Sequence, residues 1–174
     1  MRTRILILTA LGVMMLAATP GLARTPYVGV SAGRMLLRDG AENDLREGAH
    51  NIGLRAGWED IVVSRETGLG AEVEVCLPVA SGDTFGEGTW NITTAALYSV
   101  ARIGRQGFYL KGRLGVLYEH VAVDAALQES ADDLGLSFGA GLGLRLGSDL
   151  SLESELLLVG ENLAYLSVGL LRAF

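Results

Sequence analysis

Cysteine is nearly absent from this chain. Cys76 stands alone among 174 residues, so no internal disulfide can form. Positive charge is short: 14 Lys and Arg face 20 Asp and Glu, a formal net charge of −6. Phosphate binding wants a basic face, so a nucleic-acid partner is excluded. Beyond the first residues there is no run of about 18 apolar residues, and with it goes any transmembrane helix. Helical periodicity is missing as well. Only 20 % of residues are charged and 6 % aromatic, yet 49 % are hydrophobic and glycine numbers 24. Something other than a helical span has to absorb that hydrophobicity.

The first residues read as a secretory leader. Arg2 and Arg4 precede an apolar block from Ile5 to Leu16, then "ATPGLAR", with Gly21 and Ala23 at the small-residue positions a signal peptidase reads. About a dozen apolar residues are too few to span a bilayer, so cleavage after Ala23 is expected, leaving 24–174 as one domain. No cysteine lies near the cleavage point, which argues against a lipoprotein.

What is abundant is period-two alternation. "LGLSFGAGLGLRLG", 134–147, sets Leu134, Leu136, Phe138, Ala140, Leu142 and Leu144 against places held mostly by Gly and Ser. Seven further segments share the pattern: 27–35, 50–58, 69–77, 89–101, 108–119, 150–158 and 163–174. Segment 69–77 puts Leu69, Ala71, Val73, Val75 and Leu77 on one face and Gly70, Glu72, Glu74 and Cys76 on the other. Segment 89–101 presents Trp90, Ile92, Thr94, Ala96, Tyr98 and Val100 as its apolar side. Such alternation over about ten residues between turn residues signals strands. The connectors 37–48, 78–88 and 120–132 are long, as is 59–68, whereas 103–107, 147–149 and 160–162 are short.

Lipid offers no hydrogen bonds, so strands cross it only as a closed barrel. Eight strands of this length match the smallest such barrels, and the fold class expected is an all-β, eight-stranded antiparallel up-and-down transmembrane β-barrel. A lumen of that size is just wide enough for side chains to fill. Gly139, Gly141 and Gly143 therefore face inward, yielding space to larger side chains from across the lumen. The same inward parity collects Arg55, Glu72, Glu74, Lys111, Arg113, Glu119, Arg145, Glu153 and Glu155. Buried charges persist when paired, so a salt-bridged, non-conducting polar plug is expected. Trp58, Trp90, Phe108, Tyr118 and Phe174 sit near strand ends, where interfacial girdles belong.

With its leader, "YLKGRLGV" (109–116), "LSFGAGLGLRL" (136–146) and a last strand ending in Phe174, the chain resembles the small Gram-negative outer-membrane β-barrel proteins of the OmpA and OmpX type. The resemblance covers the whole segment after the leader. It implies an outer-membrane location amid lipid and lipopolysaccharide, and gives Phe174 the role of the signal read by the outer-membrane assembly machinery. Third from the end, where the family carries an aromatic or apolar residue, stands Arg172.

Competing chemistries find less support. A lipid A-modifying barrel enzyme would place His and Ser two positions apart on one face, but His50 is followed there by Ile52 and His120 by Ala122. Glu72 and Glu74 could form an acid/base couple or ligate metal, yet the same spacing is what lumen ion pairing needs. Acidic residues in the connectors match no twelve-residue calcium loop. A soluble lipocalin-like barrel would invert the parity, and an inner face of Gly, Ser and paired Glu and Arg would make a poor lipid pocket. The expectation is a monomer without cofactor or catalytic residues, with a structural or surface-interaction role, meeting any surface partner through 37–48, 78–88 and 120–132.

Overall fold

The computed structural model describes residues 25–37, 48–64, 67–83, 88–104, 107–124, 129–159 and 163–174. The leader, 1–23, lies outside them, as does most of connector 37–48. The strands are β1 (Thr25–Leu37), β2 (Ala49–Ser64), β3 (Thr67–Ala80), β4 (Gly82–Asp83), β5 (Thr89–Ile103), β6 (Phe108–Asp124), β7 (Glu129–Arg145), β8 (Leu150–Val159) and β9 (Leu163–Ala173). Two-residue β4 merely prolongs the line of β3 along β5, so the wall has eight staves.

Every neighbouring pair is antiparallel, and the β1–β9 seam with the β3–β5 pairing closes the sheet on itself. The seam is hydrogen-bonded to the last residue, where the Phe174 amide donates to the Pro26 carbonyl at 3.0 Å. Both ends of the described wall, Thr25 and Phe174, lie at the end of the short turns 65–66, 104–107 and 146–149. The strand ends that 38–48, 81–88, 125–128 and 160–162 join lie at the opposite end.

Three sequence expectations are corrected. Segment 59–68 is no long connector, because β2 continues to Ser64 and β3 starts at Thr67. Much of 120–132 is strand, since β6 and β7 stay in register out to the pair Val123 and Glu129. Of 78–88, residues 78–80 belong to β3 and 82–83 to β4. With these changes every connection at the short-turn end is short, as hairpins on one side of a barrel require.

The outer face is oily. Leu136 is 70 % exposed and Phe138 53 %, with Leu54, Leu97, Leu114, Leu156 and Val168 exposed beside them on other strands. Glu72, Glu74 and Arg113 are buried inside. A soluble barrel would reverse this arrangement, so the lipocalin-like reading fails.

β5 corrects the sequence reading in a different way. Trp90, Ile92, Thr94, Ala96, Tyr98 and Val100 all face the lumen and are buried, while Leu97 and Ile103 face out. Trp90, 1 % exposed, is thus no girdle residue. It packs in an apolar cluster with Met35, Ile92, Leu117, Val159, Leu163 and Tyr165, toward the long-connection end of the lumen. That half of the interior is a hydrophobic core, which an all-polar plug did not anticipate. Phe108 and Phe174 are exposed at the short-turn end, where Trp58 is half-buried.

The inward glycines have a more local reason than space across the lumen. A Cβ on Gly143 would run into the Tyr109 ring, one on Gly57 would come within 2.7 Å of Tyr27, and one on Gly115 within 2.6 Å of Tyr98. Each of these tyrosines is the cross-strand partner of its glycine, and at Gly57 and Gly115 a neighbouring strand's carbonyl oxygen crowds the same space. Gly112, by contrast, faces out with nothing within 4 Å of its would-be Cβ. Overpacking by one methyl typically costs about 1–3 kcal/mol. Gly143→Ala is therefore expected to lower unfolding stability in micelles by that amount and Gly112→Ala to leave it nearly unchanged. In a double-mutant cycle, most of the Gly143→Ala penalty should vanish when Tyr109→Ala is already present.

Candidate functional site

The charged residues of the lumen are brought together by what separates them. β7 contributes Gly139, Gly141 and Gly143 to the inner face, so between β6 and β8 the wall has no side chains in the way. Lys111, Gly141 and Glu155 stand in one row across the three strands, as do Tyr109, Gly143 and Glu153. Across the glycines, Lys111 Nζ reaches Glu155 Oε1 at 2.8 Å, and Tyr109 Oη donates to Glu153 Oε1 at 2.7 Å.

Around this centre the ion pairs form one connected cluster. Lys111 Nζ also meets Glu153 at 2.8 Å and Glu72 at 3.0 Å. Arg113 bonds Glu72 at 2.7 Å, Glu74 at 3.1 Å and Glu155 at 3.2 Å. Arg55 pairs with Glu74 at 2.5 Å and Glu155 at 2.6 Å. Tyr27 Oη donates to Glu72 at 2.9 Å, and the Arg113 guanidinium stacks over Tyr98 at 4.5 Å.

Sequence reasoning missed two members, Arg102 and the half-buried Glu59 that pairs with it at 3.6 Å, and included two that lie elsewhere. Arg102, on β5, joins Glu153 at 3.2 Å and stacks over Tyr27 at 4.7 Å. On β5 the larger apolar side chains suggest the lipid face, and that parity points Arg102 away from the lumen. Arg102 itself was the available signal: flanked by Ala101 and Ile103, it would stand in hydrocarbon unless its whole face turned inward. Glu119 is cross-strand to Asp133, far along β6 toward the long connections, and has no part in the cluster. Arg145 is exposed at the short-turn mouth, over the Tyr109 ring at 5.6 Å. With Arg102 in and Glu119 and Arg145 out, four buried bases (Arg55, Arg102, Lys111, Arg113) balance four buried acids (Glu72, Glu74, Glu153, Glu155), while Glu59, half-buried at the short-turn mouth, adds a fifth acid beside Arg102.

Other candidates are placed as follows. His50 and His120 stand on the outer wall, and His120 Nδ1 lies 2.7 Å from Asp132 Oδ1, which also accepts from Tyr118 Oη at 2.8 Å. Ile52 and Ala122 follow them on the same face, so neither histidine has a hydroxyl two positions on. Cys76 is buried in the apolar half of the lumen. Among the described residues, no group of three or more His, Cys, Asp or Glu could hold a metal ion. Phe174 is 69 % exposed, and Arg172 stacks over its ring at 5.8 Å while reaching Asp149 at 3.4 Å.

Removing one partner from a buried ion cluster strands a charge, which typically costs about 3–5 kcal/mol. Lys111→Met should lower unfolding stability in micelles by that amount. Adding Glu155→Gln restores neutrality and should recover part of the loss, whereas Arg145→Met, at an exposed site, should shift stability by less than about 0.5 kcal/mol.

Solved structures share this architecture. The attachment invasion locus protein Ail of Yersinia pestis, solved in complex with the heparin analogue sucrose octasulfate, superposes with a TM-score of 0.62 at 12 % identity, covering 87 % of this chain and 99 % of that one. Neisserial surface protein A gives 0.58 at 10 % identity over 86 % and 97 % of the two chains. The N-terminal barrel domain of Pseudomonas aeruginosa OprF gives 0.54 at 12 % over 85 % and 97 %. At these identities the likeness is one of fold. No curated protein matches the sequence. The model of the outer membrane protein beta-barrel domain matches residues 5–162, most of the chain. With an oily outer wall, balanced buried charges inside it and that match, the chain belongs to the outer membrane protein beta-barrel domain family and resides in the outer membrane.

Proposed function

We propose that this protein is a non-conducting, non-catalytic barrel that supports the outer membrane and holds surface connections in place for a partner. The observation that carries the reading is the filling of the lumen at successive heights. At the short-turn mouth Arg102 lies between the rings of Tyr27 and Tyr109, 4.7 and 5.9 Å from their centroids. Above it comes the ion cluster, and above that the apolar packing around Trp90 and Tyr165. An ion would have to break a paired charge network and then cross a layer packed mainly with apolar side chains.

The surface role draws support from the strand ends joined by 38–48, 81–88, 125–128 and 160–162, all at one end of the wall, since loops on a rigid scaffold usually carry specificity. The partner class is open, although Ail, of the same fold, was solved with a heparin analogue. The leader is removed after Ala23 on this reading. Phe174 serves as the assembly signal; its exposed ring and its bonded place at the seam suit that role.

Purified protein in planar lipid bilayers is expected to give no conductance steps, and appreciable ohmic conductance would count against the reading. Expression of the protein should leave the lipid A profile unaltered; a changed profile would restore the enzyme.

A further inference from the structure

β7 outlasts one of its neighbours. It pairs with β6 from Glu129 to Leu144 but with β8 only from Ser137 to Arg145, because β8 ends at Val159 and three residues separate it from β9. Along 130–135, roughly 20 Å of strand, no described strand lies against the side of β7 turned away from β6. This stretch stands at the upper limit of the oily wall. From Phe108 to Tyr118 β6 climbs roughly 34 Å along its own axis, which at a tilt of about 40° spans an apolar band about 25 Å tall. Tyr118 is paired with Leu134, and the residues before Leu134 lie beyond it.

The backbone there is set for pairing. At the other end of β7 the Arg145 amide donates to the Gly107 carbonyl on the β6 side at 2.6 Å. The register of β6 and β7 is unbroken, so odd-numbered residues of β7 turn their amides toward β6 and even-numbered ones away from it. Ser130 and Leu134 are therefore aimed at the open side, and both residues are exposed. The Leu134 amide donates only to the carboxylate of the residue before it, Asp133 Oδ1, at 2.8 Å, a local contact that the carbonyl of an added strand would replace.

Charge selects what can be added. Asp133 faces Glu119 across the hairpin, and among the described residues no base pairs with either. The Asp132 carboxylate is engaged by Tyr118 and His120 on the outer side. A second copy laid along the same edge would set these acids against themselves, and like charges on adjacent strands are destabilising. Lysine or arginine on an incoming strand would answer them.

We propose that the open edge of β7 at 130–135 is a docking site for an extended, basic segment of a partner protein, which adds to the sheet as a further strand. Main-chain hydrogen bonds to Ser130 and Leu134 supply affinity, and Asp133, with Glu119 behind it, selects positive charge. An open edge is a liability that proteins blunt with charge, and here the acids that keep copies apart leave a basic strand as the compatible occupant. The site is separate from the connections and independent of whether the lumen conducts.

The test uses the refolded barrel in phosphatidylcholine nanodiscs and a dye-labelled ten-residue peptide of alternating lysine and valine, with binding read by fluorescence anisotropy against empty nanodiscs. The other probes are the same peptide N-methylated at every residue and a peptide of alternating glutamate and valine. Wild type should bind the lysine peptide, and N-methylation should weaken binding about tenfold. Leu134→Pro removes an edge amide without touching the β6 ladder and should do the same. Asp133→Asn with Glu119→Gln should weaken binding about fivefold, the scale of two surface charge contacts. Equal binding of the two lysine peptides, or by wild type and Leu134→Pro, overturns the edge. The glutamate peptide bound as tightly overturns the basic partner, and dimers in sedimentation that Leu134→Pro dissolves give the edge to a second copy instead. No binding above empty nanodiscs overturns the site and leaves the filled lumen untouched. A gel shift on boiling reports whether each variant is folded, and the N-methylated peptide tests the edge on the unaltered protein.

Discussion

A strand in hydrocarbon has nowhere to place its amide and carbonyl groups except on neighbouring strands, and the rest of this structure follows from that restriction. Closure is the solution that leaves no edge, and β1 with β9 makes the closing seam to the last residue. Eight staves make a narrow tube, whose interior has to be packed as tightly as any core. The oily side chains are then committed to the outside, and the inside is built from what remains: glycine, hydroxyls, tyrosine and paired charge.

Pairing charge inside a narrow tube demands balance, and the buried groups of the cluster meet it with four bases and four acids. Geometry imposes a second condition, that opposite charges on β6 and β8 reach each other past an intervening strand. The three glycines of β7 satisfy it, and the same bare backbone seats the Tyr109 ring. Small residues and large ones are therefore parts of a single device, in which the absence of a side chain on one strand decides where the side chains of two others go. Higher up no charge is needed, and Trp90, Ile92 and Tyr165 close the tube as an ordinary hydrophobic core would.

Period two made most of this legible. On β3, β7 and β8 the inward face carries Glu or Gly and the outward face Leu, Val or Phe, so polarity alone assigns the sides. On β5 both faces are uncharged over most of their length and differ in size more than in polarity, which is why Trp90 and Ile92 were read as facing lipid. Height was less legible than side. Glu119 and Arg145 share the inward parity of the clustered charges, but they stand at opposite ends of the tube, and a repeat of two residues carries no information on the tilt that sets level. The extent of β6 and β7 was likewise hidden, because 120–132 is polar enough to look like a loop while still pairing strand to strand.

A filled interior moves all recognition elsewhere. Where paired charge and apolar side chains occupy the lumen, the described surface left for a ligand is the wall, which is chemically monotonous except where it reaches water. There the departures from oil are few and local: Tyr118, His120 and Asp132 bonded to one another on β6 and β7, Arg172 bonded to Asp149 at the short-turn end, and Arg34 beside His50 on β1 and β2. The first two groups supply their own counter-charges and are closed to a ligand on electrostatic grounds. The third has no ion pair among the described residues, and it adjoins a groove. Specificity on such a barrel is thus decided by which rim charges the fold leaves unanswered.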